Sequence, residues 1–486
     1  MSKLYIFGIG GTGARVLRSL TMLLASGVSL GGKIDTIVPV IIDPDTSNGD
    51  LTRTVSLMNL YKKIRQHLNF DNRPEKRGYF HVGIDDMNTN FRLHLNNVAN
   101  MKFSDYIAYN RFANQGQADS NQALLSLLFS EKNLACPLDV GFKGNPNMGS
   151  IVLNDPKNTE SMMSLLQHFQ SDDQIFIISS IFGGTGAAGF PLLQKTFREA
   201  ERLNMPNSSA IANAAIGAVT VLPYFGLKED QQSEINMETF ISKTKAALKY
   251  YIGNLDVDNL YYISDTIKNR YDNVEGATDQ RNKAHFVELA AAMAIVDFAN
   301  SNVEHNRIQT STSYREFAIR GDENPLTLNE LCSNTFGSAG KELMSFYLFS
   351  RFMMEHFDQT RDYAWAKTPQ MKNASFNDTF FADIRQFGDA FKNQWLKELS
   401  DNQRSFQPFD LFANTNDVFE TIMHIEPKKT SKLGRLLGKN LTGYPAIDTE
   451  ISDVSMKKLK GLDAYNYFIT VHETAINNVI KKKYNI

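Results

Sequence analysis

Five consecutive residues, Gly-Gly-Thr-Gly-Ala, occur twice in this chain, and each copy joins an apolar run to a helix-like stretch. The first copy is Gly10–Ala14, after the run KLYIFGI, and the second is Gly183–Ala187, after DQIFIISSI. Apolar residues at helical spacing follow each copy. Glycine permits a sharp strand-to-helix turn and a close approach of the backbone to a ligand. The fold must therefore contain two glycine-rich turns, each of which connects a strand to a helix.

Strand-like and helix-like segments alternate through roughly the first 300 residues. Apolar strands at IDTIVPVIID, IGAVTVLPYF and DNLYYISD are separated by helical stretches, and a weaker strand is predicted at GYFHVGI. Strands joined by crossover helices form parallel sheets with helices on both faces. We predict an α/β fold, a doubly wound parallel sheet, with the apolar segment NKAHFVELAAAMAIVDFA as a central helix. Both glycine loops then lie at the carboxyl ends of strands, where such sheets bind ligands.

The pattern changes after about residue 305, where predicted helices replace the alternation. We place the domain boundary there, with an α/β domain at residues 1–305, an insertion in it around residues 50–140, and a mainly helical domain at residues 306–486. The second domain includes a basic run at residues 428–439, which we expect to be a solvated loop.

Composition and charge exclude several classes of protein. The formal net charge is -2, so no global field attracts nucleic acid, and we do not expect a nucleic-acid partner. Cys136 and Cys332 are far apart and lack metal-binding spacing, which fits a reduced, cytoplasmic setting. No apolar run is long enough to cross a bilayer, and the first residues lead directly into a strand. We therefore expect neither a membrane span nor a signal peptide.

The glycine loops are suited to binding phosphate. A loop of this kind at the start of a helix points several backbone N–H groups at one spot, and the helix dipole adds partial positive charge. Two such loops would hold a polyphosphate from two sides, with Mg²⁺ neutralising its charge. Neither loop carries the lysine of a P-loop, so the hydroxyls of Thr12 and Thr185 would assist the backbone. A tight turn without a ligand is the alternative for either loop alone.

A dinucleotide site is a further alternative for the first loop. GIGGTG matches the GxGxxG pattern, in which a ribose-binding acid follows roughly 20 residues later. Here the acid Asp43 is 30 residues beyond Gly13. NAD also requires only one glycine turn, which would leave the second loop unexplained. An NAD-dependent oxidoreductase is therefore our third choice.

The order of these motifs resembles that of the tubulin/FtsZ superfamily. FGGTGAAGFP is similar to the glycine-rich signature of that family, and GFKGNPNMG, one helix earlier, is similar to the loop that reaches the terminal phosphate in FtsZ. The resemblance covers roughly residues 1–300. It implies that residues 1–305 bind GTP or GDP with Mg²⁺, that the protein is a GTPase, and that it assembles into homo-oligomers or filaments of a prokaryotic cytoskeleton.

The resemblance also assigns roles by position. The first loop would hold the α- and β-phosphates, and the acids after the second strand would lie near the phosphates and Mg²⁺, with Asp45 as the candidate metal ligand. The nucleotide-binding residues implied in this way are Gly8, Gly10, Gly11, Thr12, Gly13, Arg15, Asp43, Asp45, Gly144, Asn145, Pro146, Gly149, Gly183, Gly184, Thr185, Gly186, Ala187, Gly189, Asn282 and Phe286.

Two of these positions concern the base. Asn282 and Phe286 are four residues apart at the start of the central helix, where the family places a guanine-reading Asn and a stacking aromatic residue. A helix cap for Asn282 and core packing for Phe286 are the alternatives. Arg15 stands where FtsZ usually has Asn, which implies different base contacts.

Hydrolysis in this family uses acids from a loop after the central helix, supplied by the next subunit. The candidates here are Asp322, Glu323 and Glu330, in GDENPLTLNEL, with a solvated turn and a helix start as the alternative. Two functions therefore stay open. One is an assembling GTPase. The other is a nucleotide-gated scaffold that binds GTP or another nucleotide, and a protein partner through the C-terminal domain, with little or no hydrolysis.

Overall fold

The computed structural model describes most of the chain. The described residues are 2–31, 33–45, 47–70, 78–95, 98, 101–111, 120–139, 141–142, 144–154, 160–227, 237–267, 270–271, 282–301, 311–318, 325–427, 442–456, 459 and 461–486. Within this part of the chain, one sheet of seven strands forms the centre of the protein. Its strands are β1 Ser2–Ile9, β2 Ile34–Ile42, β3 Gly83–Ile84, β4 Gln174–Ser180, β5 Ile216–Val221, β6 Asn259–Ser264 and β7 Ser313–Ala318.

All neighbouring strands of this sheet are parallel. Their spatial order is β3-β2-β1-β4-β5-β6-β7. Strands β1 and β4 are direct neighbours, with Gly8 paired to Ile178. Both are apolar and almost wholly buried, because helices cover both faces of the sheet. The predicted α/β fold with a parallel sheet is confirmed, and the two glycine loops leave adjacent strands at the same edge.

Helices make up most of the remaining described structure. The α-helices are α1 Gly10–Ala25, α2 Gly49–Gln66, α3 Phe103–Tyr106, α4 Ser120–Leu128, α5 Glu131–Leu134, α6 Pro146–Val152, α7 Glu160–Leu166, α8 Gly184–Arg198, α9 Ser208–Ala212, α10 Met237–Tyr251, α11 Phe286–Asn300, α12 Ser333–Thr335, α13 Lys341–Glu355, α14 Thr379–Asp389, α15 Lys397–Ser400, α16 Gly443–Ser455 and α17 Ala464–Tyr484. Two π-helical segments, Phe336–Gly340 and Ala390–Leu396, connect α12 to α13 and α14 to α15. A separate pair of short parallel strands joins Gly226–Leu227 to Arg270–Tyr271.

Helix α1 is buried on all sides, including its polar residues. Helices α2 and α11 pack against it. Residues far along the chain cover the rest, since the Trp395 indole donates a hydrogen bond to Ser19 Oγ at 3.2 Å and Arg18 pairs with Glu398 at 2.6 Å. The helix that carries the first glycine loop is therefore held in place by the C-terminal region.

The predicted central helix is present as α11. It packs against α1, β5 and β6, and apolar residues occupy nearly all of its faces. Its start is fixed by a capping box, in which His285 accepts a hydrogen bond from the backbone of Val287 and Glu288 accepts one from the backbone of His285. This rigid start lies beside the first glycine loop, as the contacts below show.

The described residues after β7 form helices and turns, as predicted for the C-terminal part. The sheet, however, extends past residue 305, because its edge strand β7 lies beyond that position. The insertion predicted around residues 50–140 supplies the opposite edge strand β3 and nearly all of α2. No helix of the described part is both long and apolar enough to traverse a membrane.

Candidate functional site

The two glycine loops face each other at the carboxyl edge of the sheet. Gly10 begins α1 with a φ angle of 70°, and a Cβ built on it would lie 3.6 Å from Thr185 Cβ. The first loop is tightly closed, since a Cβ on Gly13 would approach the carbonyl carbon of Gly8 to 2.4 Å. Gly183 is the N-cap of α8, so the N-terminal N–H groups of α1 and α8 lie on either side of one small space.

The third predicted loop contacts the second. A Cβ on Gly184 would lie 2.9 Å from the backbone nitrogen of Asn145, and one on Gly149 would lie 2.8 Å from the Gly184 carbonyl oxygen. Asn145 caps α6, its side chain accepting hydrogen bonds from the backbone of Asn147 and Met148, and Pro146 follows as the first residue of the helix. The segment at residues 144–149 therefore adds a third wall to the same edge.

The second loop is packed against both its own strand and β1. A Cβ on Gly186 would come within 2.6 Å of the Ser180 carbonyl oxygen, and one on Gly189 within 3.1 Å of the Ile9 side chain. Ala187 begins the ordinary helical pattern, donating its N–H to the Gly183 carbonyl at 3.3 Å. The glycines at these two positions are required for close packing.

The two acids after β2 form a hydrogen-bonded turn. Asp43 accepts a hydrogen bond from the backbone N–H of Asp45 at 3.0 Å, and Asp45 accepts from the backbone and hydroxyl of Ser47 at 3.0 and 2.9 Å. Burial raises the pKa of Asp43 to about 7, and the charges of Asp45 and Asp50 add to the effect. A cation at this turn would favour the ionised form of Asp43.

Within the described residues, no group of three or more His, Cys, Asp or Glu side chains is arranged to hold a metal ion. Mg²⁺ prefers oxygen ligands, and it commonly takes one or two carboxylates together with substrate phosphates. Asp43 and Asp45 fit this limited role, because both carboxylates lie on one short turn. The ligand would supply the remaining oxygen atoms.

Asn48 also belongs to this edge, although the sequence analysis did not select it. Its side-chain amide nitrogen would lie 3.9 Å from a Cβ built on Gly11, and its Oδ1 accepts hydrogen bonds from the backbone of Asp50 and Leu51. Asn48 is the N-cap of α2. An Asn directly before a helical segment is a sequence signal for such a cap, and it would have identified this residue.

Arg15 is the centre of a buried polar network behind the first loop. Its Nε donates to Glu288 Oε1 at 2.5 Å, and its Nη1 donates to Asp50 Oδ2 at 2.8 Å. Its Nη2 donates to Thr12 Oγ1 at 3.2 Å and to the Tyr224 hydroxyl at 3.0 Å. Burial opposes the charge on Arg15, but its three ionisable partners together raise the pKa of the guanidinium well above its ordinary value.

The network extends to the C-terminal region through Glu398. This carboxylate accepts hydrogen bonds from Arg18 at 2.6 Å, Arg53 at 3.0 Å and the backbone N–H of Ala284 at 2.8 Å. Arg53 also pairs with Asp50 at 2.8 Å. Helices α1, α2, α11 and α15 are therefore joined by charged groups next to the glycine loops.

The two residues predicted to contact the base have partners within the protein. The ring of Phe286 packs against Phe406 with 5.2 Å between ring centroids, and only 6% of the residue is exposed. The backbone N–H of Asn282 donates to Asp50 Oδ1 at 3.1 Å, and its carbonyl accepts from Arg53. The structure thus places both residues beside the network, and their contact with a base stays a prediction.

The candidate catalytic acids are only partly described. Asp322 and Glu323 lie outside the described residues, as does the basic run at residues 428–439. Glu330 accepts hydrogen bonds from the backbone N–H and hydroxyl of Thr327 at 2.6 and 2.7 Å, in a capping box. Burial alone would raise the pKa of Glu330, but these hydrogen bonds outweigh it and lower the pKa.

A separate cavity of about 1350 Å³ lies along α11, between that helix and the start of α12. Its walls include Leu289 and Met293 of α11, together with Leu326, Glu330 and Cys332. Its lining contains none of the glycine loops. Glu330 therefore lines a different space from the sheet edge that carries the glycine loops.

Comparisons with known proteins give little beyond the fold. No protein-family model matches the sequence, and no curated protein matches it. A solved structure that is similar in part is CetZ from Methanosaeta thermophila strain DSM 6194, at 15% identity and a TM-score of 0.22. The match covers 62% of this chain and 52% of that protein, so the chain spans about half of its length. The fold assignment rests on the parallel sheet itself.

Proposed function

We propose that this protein binds GTP at the carboxyl edge of its sheet and assembles as a tubulin/FtsZ-like GTPase. The observation that carries the proposal is the meeting of two glycine-led helix starts, those of α1 and α8, with the segment at residues 144–149 packed against the second. Gly10 faces Thr185, and Gly184 contacts Asn145. Helix starts supply unpaired N–H groups and partial positive charge, which together bind phosphate. Two such starts that face one space suit a polyphosphate better than a single phosphate.

In the proposed site, different loops would bind different phosphates of GTP. Backbone N–H groups of Gly10 to Gly13 and the Thr12 hydroxyl would hold the α- and β-phosphates. The loops at residues 144–149 and 183–187 would enclose the terminal phosphate. The turn of Asp43 and Asp45 would hold Mg²⁺, which would supply positive charge to stabilise phosphoryl transfer.

Self-assembly would complete hydrolysis. The acid that positions the attacking water would come from a neighbouring copy, with Asp322, Glu323 and Glu330 as the candidates. Such a site cleaves GTP slowly in the isolated protein and faster once copies stack. Glu330 lines the cavity along α11 and not the edge that carries the glycine loops, which is compatible with an acid supplied by a neighbouring copy.

A nucleotide-gated scaffold is the second candidate, and two observations favour it. Glu330 already caps its own short helix through Thr327, which occupies the carboxylate. Glu398 ties the C-terminal region to the helix that carries the first loop. A nucleotide bound at that loop would then hold the C-terminal region in one arrangement, which a protein partner could bind. Hydrolysis of the nucleotide would not be needed.

Negative-stain electron microscopy with GTP and Mg²⁺, paired with a phosphate-release assay, tests both candidates. The GTPase proposal expects filaments or rings and phosphate release that rises with protein concentration. Thr185→Ala, which leaves the glycines intact, is expected to weaken GTP binding and reduce both signals. GTP binding without phosphate release would favour the scaffold. Absence of GTP binding would contradict the GTPase, and absence of binding of any nucleotide would contradict the scaffold as well.

A further inference from the structure

We propose that Arg15 is a positioning residue that fixes the Thr12 hydroxyl as a hydrogen-bond donor to a phosphate oxygen of the bound nucleotide, and that Arg15 itself does not touch the ligand. This inference rests on the proposed nucleotide site. It replaces the base contact that the resemblance implied for Arg15 with a different role in the same pocket.

The geometry of Thr12 carries the first step. Arg15 Nη2 donates to Thr12 Oγ1 at 3.2 Å, so the hydroxyl oxygen serves as an acceptor there. A hydroxyl has one proton to donate as well as lone pairs to accept with. Among the described residues, no acceptor is found for the Thr12 proton, although the residue is only 6% exposed. A buried hydroxyl proton without an acceptor indicates a ligand oxygen at this place.

The charge of Arg15 strengthens this donor. A cationic N–H bonded to the hydroxyl oxygen polarises the O–H bond, and a chain of hydrogen bonds reinforces its members in a low-dielectric interior. Thr12 lies in the first turn of α1, where the backbone N–H groups and the helix dipole also favour an anion. The acceptor is therefore a phosphate oxygen rather than a neutral group.

Four of the five N–H donors of Arg15 are used within the protein. Nε bonds to Glu288, Nη1 to Asp50, and Nη2 bonds to Tyr224 as well as Thr12. The Arg15 side chain is 4% exposed and those of its two carboxylate partners are 1% and 0% exposed. Contact of any of these four donors with a ligand would break a buried hydrogen bond or ion pair, so we infer that Arg15 acts through Thr12.

Arg18 offers a matched control on the same helix. It is also buried and also pairs with a carboxylate, Glu398, at 2.6 Å, but within the described part of the chain it makes no hydrogen bond to the glycine loop. Substitution of either arginine removes one buried cation from α1. Only the Arg15 substitution should disturb the Thr12 hydroxyl, so a purely structural effect would appear with both variants.

Isothermal titration of the full chain with GTP and with GDP in Mg²⁺ tests this role. We would compare the wild type with Thr12→Val, Thr12→Ser, Arg15→Gln, Arg18→Gln and the double variant Thr12→Val/Arg15→Gln. Loss of one hydrogen bond to a charged group predicts roughly tenfold weaker binding for Thr12→Val and for Arg15→Gln. The double variant should bind within about twofold of the weaker single variant. Thr12→Ser and Arg18→Gln should bind like the wild type.

The effect should be equal for GTP and GDP, because the first loop holds the inner phosphates. Losses that multiply in the double variant would overturn the inference, as would Thr12→Val binding as tightly as the wild type or Arg18→Gln weakening binding as much as Arg15→Gln. If the wild type binds neither nucleotide, the proposed function fails and this inference fails with it. If the wild type binds nucleotide but the Thr12 and Arg15 variants do not show the expected losses of affinity, this inference fails and the proposed function survives.

Arg15→Gln leaves buried carboxylates without their cation, which destabilises the folded protein. The variant Arg15→Gln/Glu288→Gln avoids this, since it removes one charge of each sign and leaves Asp50 paired with Arg53 at 2.8 Å. Circular dichroism would establish folding before titration. When Thr12→Val is added to this variant, the affinity for GTP should fall by no more than about twofold. A further loss as large as that caused by Thr12→Val in the wild type would contradict the inference.

Discussion

Gly10 and Thr185 belong to glycine loops that are far apart in sequence, yet a Cβ built on Gly10 would lie 3.6 Å from Thr185 Cβ. The contact follows from the sheet, because β1 and β4 are neighbours and each loop leaves its strand at the carboxyl end. It makes the two loops walls of one site instead of two separate turns. The four predictions below follow from this arrangement and from the network behind it.

Gly11→Ala should block ligand binding while leaving the fold intact. A Cβ on Gly11 would have 3.4 Å to its nearest protein neighbour, Arg15 Nη1, which is ordinary contact. In the proposed site, the methyl group would crowd the first loop, whose backbone N–H groups hold the phosphates. We expect a change in unfolding free energy within about 1 kcal/mol and loss of GTP binding, measured by urea denaturation and titration calorimetry.

Gly13→Ala is the matched comparison. A Cβ there would lie 2.4 Å from the Gly8 carbonyl carbon, so the strand and helix must separate. We expect destabilisation by about 2 kcal/mol or more. Equal stability losses in the two variants would contradict the steric account of the first loop.

Glu398→Gln should weaken the packing of the C-terminal region against α1. The substitution removes the charge that Arg18 and Arg53 share. We expect a loss of about 1–3 kcal/mol in unfolding free energy, and a change in the fluorescence of Trp395, whose indole bonds to Ser19. Glu199→Gln, which removes an exposed pair with Arg202, should cost less than about 0.5 kcal/mol. Equal losses of unfolding free energy in Glu398→Gln and Glu199→Gln would contradict a stabilising role for the ion pairs of Glu398.

Asp43 should make stability fall as pH rises from about 4 to 7. Its pKa is about 7 in the folded protein, against 3.8 as the ordinary value. Between these values only the folded state holds the proton, so each pH unit costs up to about 1.4 kcal/mol. Below pH 4 both states are protonated, and above pH 7 neither is, so the contribution is then constant.

Asp43→Asn removes the contribution of Asp43 protonation to the unfolding free energy. Comparison with the wild type therefore separates this contribution from those of other titrating groups. The difference in unfolding free energy between the variant and the wild type should change across pH 4 to 7 and be flat outside that window. Urea denaturation at several pH values would measure it. A difference independent of pH would show that Asp43 is not held in its neutral form.

Much of the fold was predictable because local signals agreed with it. Apolar strands, crossover helices and glycine turns each indicated a parallel sheet. The apolar residues of Phe286–Asn300 indicated a central helix. The contact between the loops followed from strand position. The strand Ser313–Ala318 was missed, because its residues SYREFA alternate weakly and lie at the edge of the sheet, where less apolar burial is required.

The network around Arg15 was not predictable from the sequence. Its partners Asp50, Tyr224 and Glu288 come from different elements, and Glu398 pairs with Arg18 across 380 positions of chain. No local period or spacing indicates such pairs. The sequence placed Arg15 in the pocket by analogy, whereas the structure shows where its guanidinium is directed.

Competition binding tests the central claim most directly. The purified chain, in Mg²⁺, would be incubated with a fluorescent GTP analogue and titrated with GTP, ATP or NAD. We predict that GTP displaces the analogue at lower concentration than ATP or NAD does, and that Gly11→Ala abolishes binding of the analogue. Failure of the wild type to bind the analogue or GTP, or tighter binding of NAD, would contradict the account.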